Sequence, residues 1–562
     1  MTEIEALLQR IFRNRKKATG CFAWLYQQTS TYRLKLLALV CLRCIATGLS
    51  LSLAVISKWV VDRATTGLTV APAMALMVAG YVCSIGLSMA ANWFLSILSE
   101  KYAFHLRTAL FDNLMHKRWQ NLQPYHSESL LTRLTSDVDN VTGGIASLFA
   151  SLIALVVQFI GAFVLLAQYD VSLAVFAAVL GPVGGLLMLF FAVKLRGVQK
   201  NYQEAEAVYR SFLQESLAQI GIVKAFCYEE KSLAQLQELR KRRLYWVRRK
   251  NAWNLGMNLC INAVFTGSYL FAFVSGAKGL ATGTITYGTM TAFLSLVSQI
   301  QSPVANIANT MPQIVSVLAS ADRLMELDRI PAEQQNNIPT AFPTALLGVR
   351  GDHLAFVYPG TERIVLKDFS FDIAPGTIAA VMGPSGVGKT TLARMILDFI
   401  TPQRGTIALY DGAGQVFPCT SQTRAWLSCV PADNALFSGT VAENLRMGKP
   451  DATPEEMHAA LQAAQIWETV QALPQGVNTP LGEDAARLSQ GQAQRVAIAR
   501  ALIRPAALLI LDEATSALDE PTERAVLQAL RDNPHHPTCL IISHRPAVRE
   551  FADQTITFAS RA

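Results

Sequence analysis

Residues 383 to 391 read Gly383-Pro384-Ser385-Gly386-Val387-Gly388-Lys389-Thr390-Thr391, with the apolar run Ile378-Ala-Ala-Val-Met382 before them and Leu392-Ala-Arg-Met-Ile-Leu397 after. Glycines at these spacings let backbone N–H groups turn toward phosphate oxygens, and a helix starting at the lysine adds its positive end. Lys389 would then reach the outer phosphates and Thr390 would ligate Mg²⁺. The pattern predicts a phosphate-binding loop between a strand and a helix.

A second apolar run, Ala507-Leu-Leu-Ile-Leu511, ends in Asp512-Glu513. A buried strand delivering two carboxylates at its tip can hold a metal ligand beside a water-activating base, so Asp512 is assigned to Mg²⁺ and Glu513 to the attacking water. By itself Asp-Glu is also a common acidic helix start. Beside a phosphate loop it points to nucleotide hydrolysis.

These groups must be positioned by an α/β domain, yet most of the chain before it has another character. Of 562 residues, 51% are hydrophobic and only 16% charged, and the mean hydropathy is +0.28, which excludes a disordered or fibrous protein. Apolar runs at about 36–60, 73–98, 141–168, 171–193, 256–279 and 284–310 each approach the roughly 20 residues needed to cross a bilayer. Six membrane spans are expected.

Lysine and arginine set their orientation. The 60–72 connection holds one Arg, 168–171 none and 278–284 one Lys, whereas 194–250 holds 13 and 101–133 five. Both termini and the ATPase domain are therefore expected in the cytoplasm of a multi-pass cell-membrane protein, with tiny outer loops and long helical inner extensions. Membrane orientation accounts for most of the +8 net charge, so no nucleic-acid partner is expected. Nine scattered cysteines show neither zinc spacing nor a disulfide framework.

The expected layout is a cytoplasmic lead-in helix over 1–35, a transmembrane domain over 36–325, a linker over 326–345 and a nucleotide-binding domain over 346–562. The fold class is a polytopic α-helical membrane domain of six transmembrane helices with long cytoplasmic extensions, followed by an α/β P-loop domain.

Between the loop and Asp512 lies Leu488-Ser489-Gln490-Gly491-Gln492, and beyond them Ser516-Ala-Leu-Asp519 and Ile541-Ile-Ser-His544. Alone, Ser489 to Gln492 reads as a polar helix cap. In this order the motifs resemble the Walker A, signature, Walker B, D-loop and switch-histidine series of the ATP-binding cassette (ABC) family. His126-Ser-Glu-Ser-Leu-Leu-Thr-Arg-Leu-Thr-Ser-Asp-Val-Asp139 looks like the first cytoplasmic coupling segment of exporter-type half-transporters, and Gln214 to Phe226 like the region around the second. The resemblance implies that Tyr358 stacks on adenine and that Gly383 to Thr391 bind ATP with Mg²⁺. It also implies that Ser489, Gln490, Gly491 and Gln492 contact the partner's ATP, that Asp519 links the two sites across the dimer and that His544 acts on the γ-phosphate beside Glu513.

One position departs from the family pattern. In Leu427-Ser-Cys-Val-Pro-Ala432, Ala432 stands where a glutamine that reaches Mg²⁺ and water is expected. A methyl group does neither, so a heterodimer with a second half-transporter is preferred over a homodimer. The expected function is ATP-driven transport, with export of a small molecule, lipid or peptide preferred. Alternatives are an exporter-fold importer of a metal chelate and a membrane-tethered P-loop regulatory ATPase. Arg43, inside the first span, either snorkels or pairs with a neighbour, or else contacts an anionic substrate or a lipid headgroup.

Overall fold

The computed structural model describes residues 20–21, 23–333, 346–384, 386–432, 436–481, 488–533 and 537–558. The chain divides into two compact units, one from Met1–Leu114 and His126–Arg329, the other from Met115–Tyr125 and Ile330–Ala562. Of the expected lead-in helix, residues 1–19 lie outside the described residues, as do 334–345 of the expected linker.

Long apolar stretches with few helix breakers make the described part of the first unit predominantly helical. Its long helices are α1 (Arg33–Thr65), α2 (Ala71–Met115), α3 (Val138–Ala167), α4 (Val171–Ala218), α5 (Glu229–Ala281) and α6 (Tyr287–Asp328). Stretches within Ser30–Thr65, Ala71–Met115, Ser127–Ala167 and Glu229–Ala281 are long and apolar enough to cross a membrane, while α4 and α6 coincide with the fourth and sixth apolar runs of the sequence. At 1.5 Å per residue the 45-residue α2 is about 68 Å long, over twice a hydrocarbon core of roughly 30 Å. A helix of that length can reach well beyond the bilayer.

Close helix contacts hold this unit together. The buried side chains of Leu39, Leu106, Val141 and Leu324 join α1, α2, α3 and α6 in one cluster. At the other end of α1, the Gly288 N–H donates to Asp62 at 3.0 Å, and a Cβ at Gly288 would fall 2.4 Å from the Lys58 carbonyl, so only glycine admits the approach. Arg43 donates to the Asn92 side chain at 2.6 Å, which ties α1 to α2. Gln299 reaches the Ser50 carbonyl at 3.5 Å, also joining two helices.

In the second unit, short apolar runs form buried strands. A five-stranded parallel sheet has the order β11-β3-β10-β9-β6, built from β3 (Ile378–Met382), β6 (Leu427–Val430), β9 (Leu508–Asp512), β10 (Thr538–Ile542) and β11 (Gln554–Thr557). All residues of β3, β9 and β10 are buried. That suits a parallel sheet covered on both faces. An antiparallel sheet, β2-β1-β4-β5, is formed by β1 (Leu347–Val357), β2 (Ile364–Ile373), β4 (Arg404–Asp411) and β5 (Val416–Pro418), and β7 (Gly439–Thr440) pairs with β8 (Pro480–Leu481). The helices used below are α7 (Lys389–Ile396), α8 (Gln490–Leu502) and α9 (Glu520–Arg531).

Candidate nucleotide site

Because β3, β10 and β9 are parallel neighbours, their carboxyl ends open on one edge, which is where such sheets bind ligands. The phosphate loop follows β3, His544 comes two residues after β10, and Asp512 ends β9 with Glu513 next. Ala432 lies two residues beyond β6, the strand beside β9. Segments far apart in sequence thus meet by strand order.

The loop enters α7 through Gly388, whose φ of 115° is a left-handed conformation that a side chain resists. Lys389 is buried, and its ammonium donates to the Gly383 and Pro384 carbonyls, both at 2.8 Å. That leaves the charge lying along the loop it would use to hold phosphates. Ser385 lies outside the described residues. Thr391 is buried under the loop, and its hydroxyl is 3.2 Å from that of Tyr358. Arg394 donates to the same Tyr358 oxygen at 3.1 Å.

The Thr390 hydroxyl donates to Asp512 at 3.2 Å. Burial pushes the Asp512 carboxyl above its ordinary range, with the Thr390 hydrogen bond opposing and the Glu513 charge adding to the rise. A buried carboxylate paired with a hydroxyl fits one edge of a Mg²⁺ shell. Among the described residues no group of three or more His, Cys, Asp or Glu could hold a metal, and a Mg²⁺ ion completed by water and nucleotide phosphates needs no such group.

Glu513 sits at φ 51°, an uncommon conformation for a residue with a side chain. Its N–H donates to the Ile542 carbonyl at 2.9 Å, fixing it beside the end of β10. The exposed His544 lies two residues beyond that strand end. Neither Gln494 nor Arg545 was singled out in the sequence, yet both grip the stretch after Glu513. Gln494, on α8, accepts from the Ala517 N–H at 3.0 Å and donates to Ser516 at 3.3 Å. Arg545 donates to the Ser516 and Leu518 carbonyls at 2.7 and 2.6 Å and to the buried Glu523 at 3.1 Å. The Thr515 hydroxyl completes that cluster by donating to Glu523 at 2.7 Å.

Ser489 does cap a helix. Its hydroxyl accepts from the Gln492 N–H at 3.3 Å while the Gln492 side chain accepts from the Ser489 N–H at 2.8 Å, so the residues open α8 as a reciprocal box. Exposed Gln490 and Ser489 mark its positive end, which can face an anion. Gly491 is fixed by space, since a Cβ there would lie 2.8 Å from the Ala517 carbonyl. Asp519 is exposed at the start of α9.

A phosphate-loop ATPase joined to a bundle of membrane-length helices defines an ATP-driven membrane transport protein. Comparison with known proteins agrees along both halves. The ABC transporter transmembrane region matches residues 34–304 and the ABC transporter ATPase domain residues 366–516. The lipid A-core flippase of Bordetella avium is 31% identical over 477 residues, covering 83% of this chain and 79% of the flippase. A fatty acid ABC transporter ATP-binding/permease protein of Mycobacterium bovis is 28% identical over 499 residues, covering 88% of this chain and 78% of its own. The fold matches a bacterial Atm1-family ABC exporter with ATP bound at a TM-score of 0.80, with 23% identity and coverage of 94% and 93% of the two chains. The chain belongs to the ABC transporter family, as an exporter-type half-transporter that binds ATP, resides in the membrane with several spans and works as a dimer. It couples ATP hydrolysis to export, and the relatives favour neither a chelate importer nor a tethered regulatory ATPase.

Proposed function

We propose that this half-transporter exports an amphipathic, lipid-like molecule. Relatives named for a lipid A-core and for fatty acid support the cargo class. Its ATPase unit would lie in the cytoplasm, a reading that the charge asymmetry of the loops supports. The observation that carries the mechanism is the meeting of the phosphate loop, Asp512, Glu513 and His544 at the ends of three adjacent strands.

Lys389 leaves the loop carbonyls for the β/γ-phosphates, Thr390 and Asp512 would hold Mg²⁺, and Glu513 takes a proton from the attacking water. Tyr358 stacks on adenine, and His544 contacts the γ-phosphate. Ser489, Gln490, Gly491 and Gln492 complete the partner's site, and Asp519 links the two sites. When bound there, Mg²⁺ would supply positive charge to offset that of the phosphates.

Since Ala432 lacks the donor and ligand capacity of glutamine, the pairing we prefer is a heterodimer whose other chain supplies the better-coupled site. The test is purified chain in phosphatidylethanolamine and phosphatidylglycerol vesicles, followed by movement of a fluorescent phospholipid between leaflets. ATP should accelerate that movement when a partner chain is present, and Glu513→Gln should abolish the acceleration. Vigorous ATP-driven movement by the chain alone, unchanged by Ala432→Gln across a Mg²⁺ titration, rules out the heterodimer preference. Equal movement with and without ATP in every pairing rules out the cargo class.

A further inference from the structure

Residues Met115–Tyr125, which connect α2 to the helix Ser127–Thr132, belong to the ATPase unit rather than to the helical one. They are fixed there by backbone pairing and by one aromatic ring. Lys117 bridges to Ala332, the Arg118 N–H donates to the Pro331 carbonyl at 3.1 Å, and the Glu333 N–H donates to the His116 carbonyl at 2.9 Å. The half-buried Trp119 ring stacks on Phe399 with centroids 5.4 Å apart. The Arg394 guanidinium lies over the same indole, 5.1 Å from its centroid.

Arg394 also donates to the Tyr358 hydroxyl, whose other neighbour is Thr391 of the phosphate-loop helix. One side chain thus touches both the segment that leads out of a membrane helix and the aromatic residue at the nucleotide site. We infer that Arg394 is a positioning residue that ties the α2-linked segment, through Trp119, to the adenine end of the ATP site.

This rests on the reading of Tyr358 as the adenine-stacking ring. Arginine suits the task because its flat guanidinium can face an indole while its edge donates to an oxygen. A displacement of Trp119 that follows α2 removes the face contact, and Arg394 is then free to release the Tyr358 hydroxyl and change the ring's pose. Such a link needs no glutamine at position 432. It gives this chain a route from its membrane helices to its nucleotide that Ala432 cannot provide.

The experiment measures binding of a fluorescent ATP analogue and of inorganic tripolyphosphate to the full chain in phosphatidylethanolamine and phosphatidylglycerol vesicles. Tripolyphosphate reads the phosphate loop without a base, so the ratio of the two affinities isolates the adenine end. Trp119→Leu and Arg394→Met should each lower that ratio roughly three- to tenfold, and the double variant should be no worse than either alone. Trp119→Phe, which keeps a ring under the guanidinium, should hold most of the parental ratio.

A parental ratio in Trp119→Leu, additive losses in the double variant, or equal loss of both ligands overturns the relay. Should Trp119→Leu fail to fold, Arg394→Lys decides the matter, since it keeps the charge over the indole but loses the planar fork. A ratio fully parental in that variant also overturns it. Tyr358→Phe and Tyr358→Ala separate the two readings. If Tyr358→Ala leaves the ratio unchanged, the stacking assignment fails. If it lowers the ratio while Trp119→Leu does not, stacking stands and the relay alone fails.

Discussion

The side-chain amide of Gln494 donates to the backbone carbonyl of Glu513 at 3.1 Å, so the helix opened by Ser489 holds the residue proposed to activate water. Gln494 is only 1% exposed and spends its remaining polar capacity on Ser516 and Ala517. Glu513 in its left-handed conformation needs such support, because that backbone region costs a side-chain-bearing residue on the order of 1–3 kcal/mol. Gln494→Leu removes all three bonds. It should cut turnover roughly ten- to a hundredfold while ATP affinity stays within about twofold, the loss expected when buried polar groups go unpaired. Steady-state hydrolysis alongside equilibrium ATP binding checks this, and unchanged turnover would show that Glu513 holds its pose unaided.

Glu513→Gln should bind ATP normally yet hydrolyse it about 10²- to 10⁴-fold more slowly, because the amide cannot accept the water's proton. Lys389→Ala should differ by losing affinity as well as turnover, since the ammonium acts on bound ATP and on the transition state alike. Parallel binding and single-turnover measurements separate the two signatures. Glu513→Gln at more than half the parental rate contradicts the assignment of the base.

Arg545→Met leaves the buried Glu523 carboxylate without its guanidinium and the Ser516 and Leu518 carbonyls without their donor. Stranding a buried charge costs about 3 kcal/mol, so the ATPase unit should melt earlier. Adding Glu523→Gln should recover most of the lost melting temperature, because no charge is then stranded, but not the turnover, because the carbonyls remain unheld. Recovery of both would mean that Arg545 only neutralises Glu523.

Cys539, on the central strand β10, is 1% exposed, and burial pushes its thiol up to about 12. At pH 8 the reactive thiolate is then only about one part in 10⁴ of the total. Iodoacetamide should label the exposed Cys227 within minutes and leave Cys539 untouched until the unit unfolds. Peptide mass mapping against urea concentration reads this directly, and early labelling of Cys539 would show that the sheet opens locally around β10.

The candidate nucleotide site was legible in the sequence because its residues sit in short local patterns. Gly383 to Thr391 and Asp512-Glu513 each carry their chemistry within a few positions of a strand end, and strand order does the rest. Apolar run length likewise announced the six long helices. Gln494, Arg545 and Arg394 were not legible, because each acts through hydrogen bonds to residues 19 to 36 positions away and a lone polar residue has no distinctive spacing. Trp119 was hidden for a related reason. The stretch 126–139 carries the motif that resembles a coupling segment, and the residues grouped with the ATPase unit lie just before it, outside that motif. Arg43 was open between an anionic substrate or lipid headgroup, snorkelling and a neighbouring partner. The structure supplies one such partner in Asn92 of α2, at a range that no helical periodicity encodes.

The ATPase unit is discontinuous along the chain, with Met115–Tyr125 made by the ribosome about 200 residues before the rest of its scaffold. Its final surface must therefore wait for a long-range closure, which places part of a soluble domain's maturation under the control of membrane insertion. A cassette cut free at residue 330 would begin life without its Trp119 cover. Phe399 and Arg394 would then lose the ring that shields them, and the fragment's nucleotide chemistry would be that of a domain missing one of its own parts.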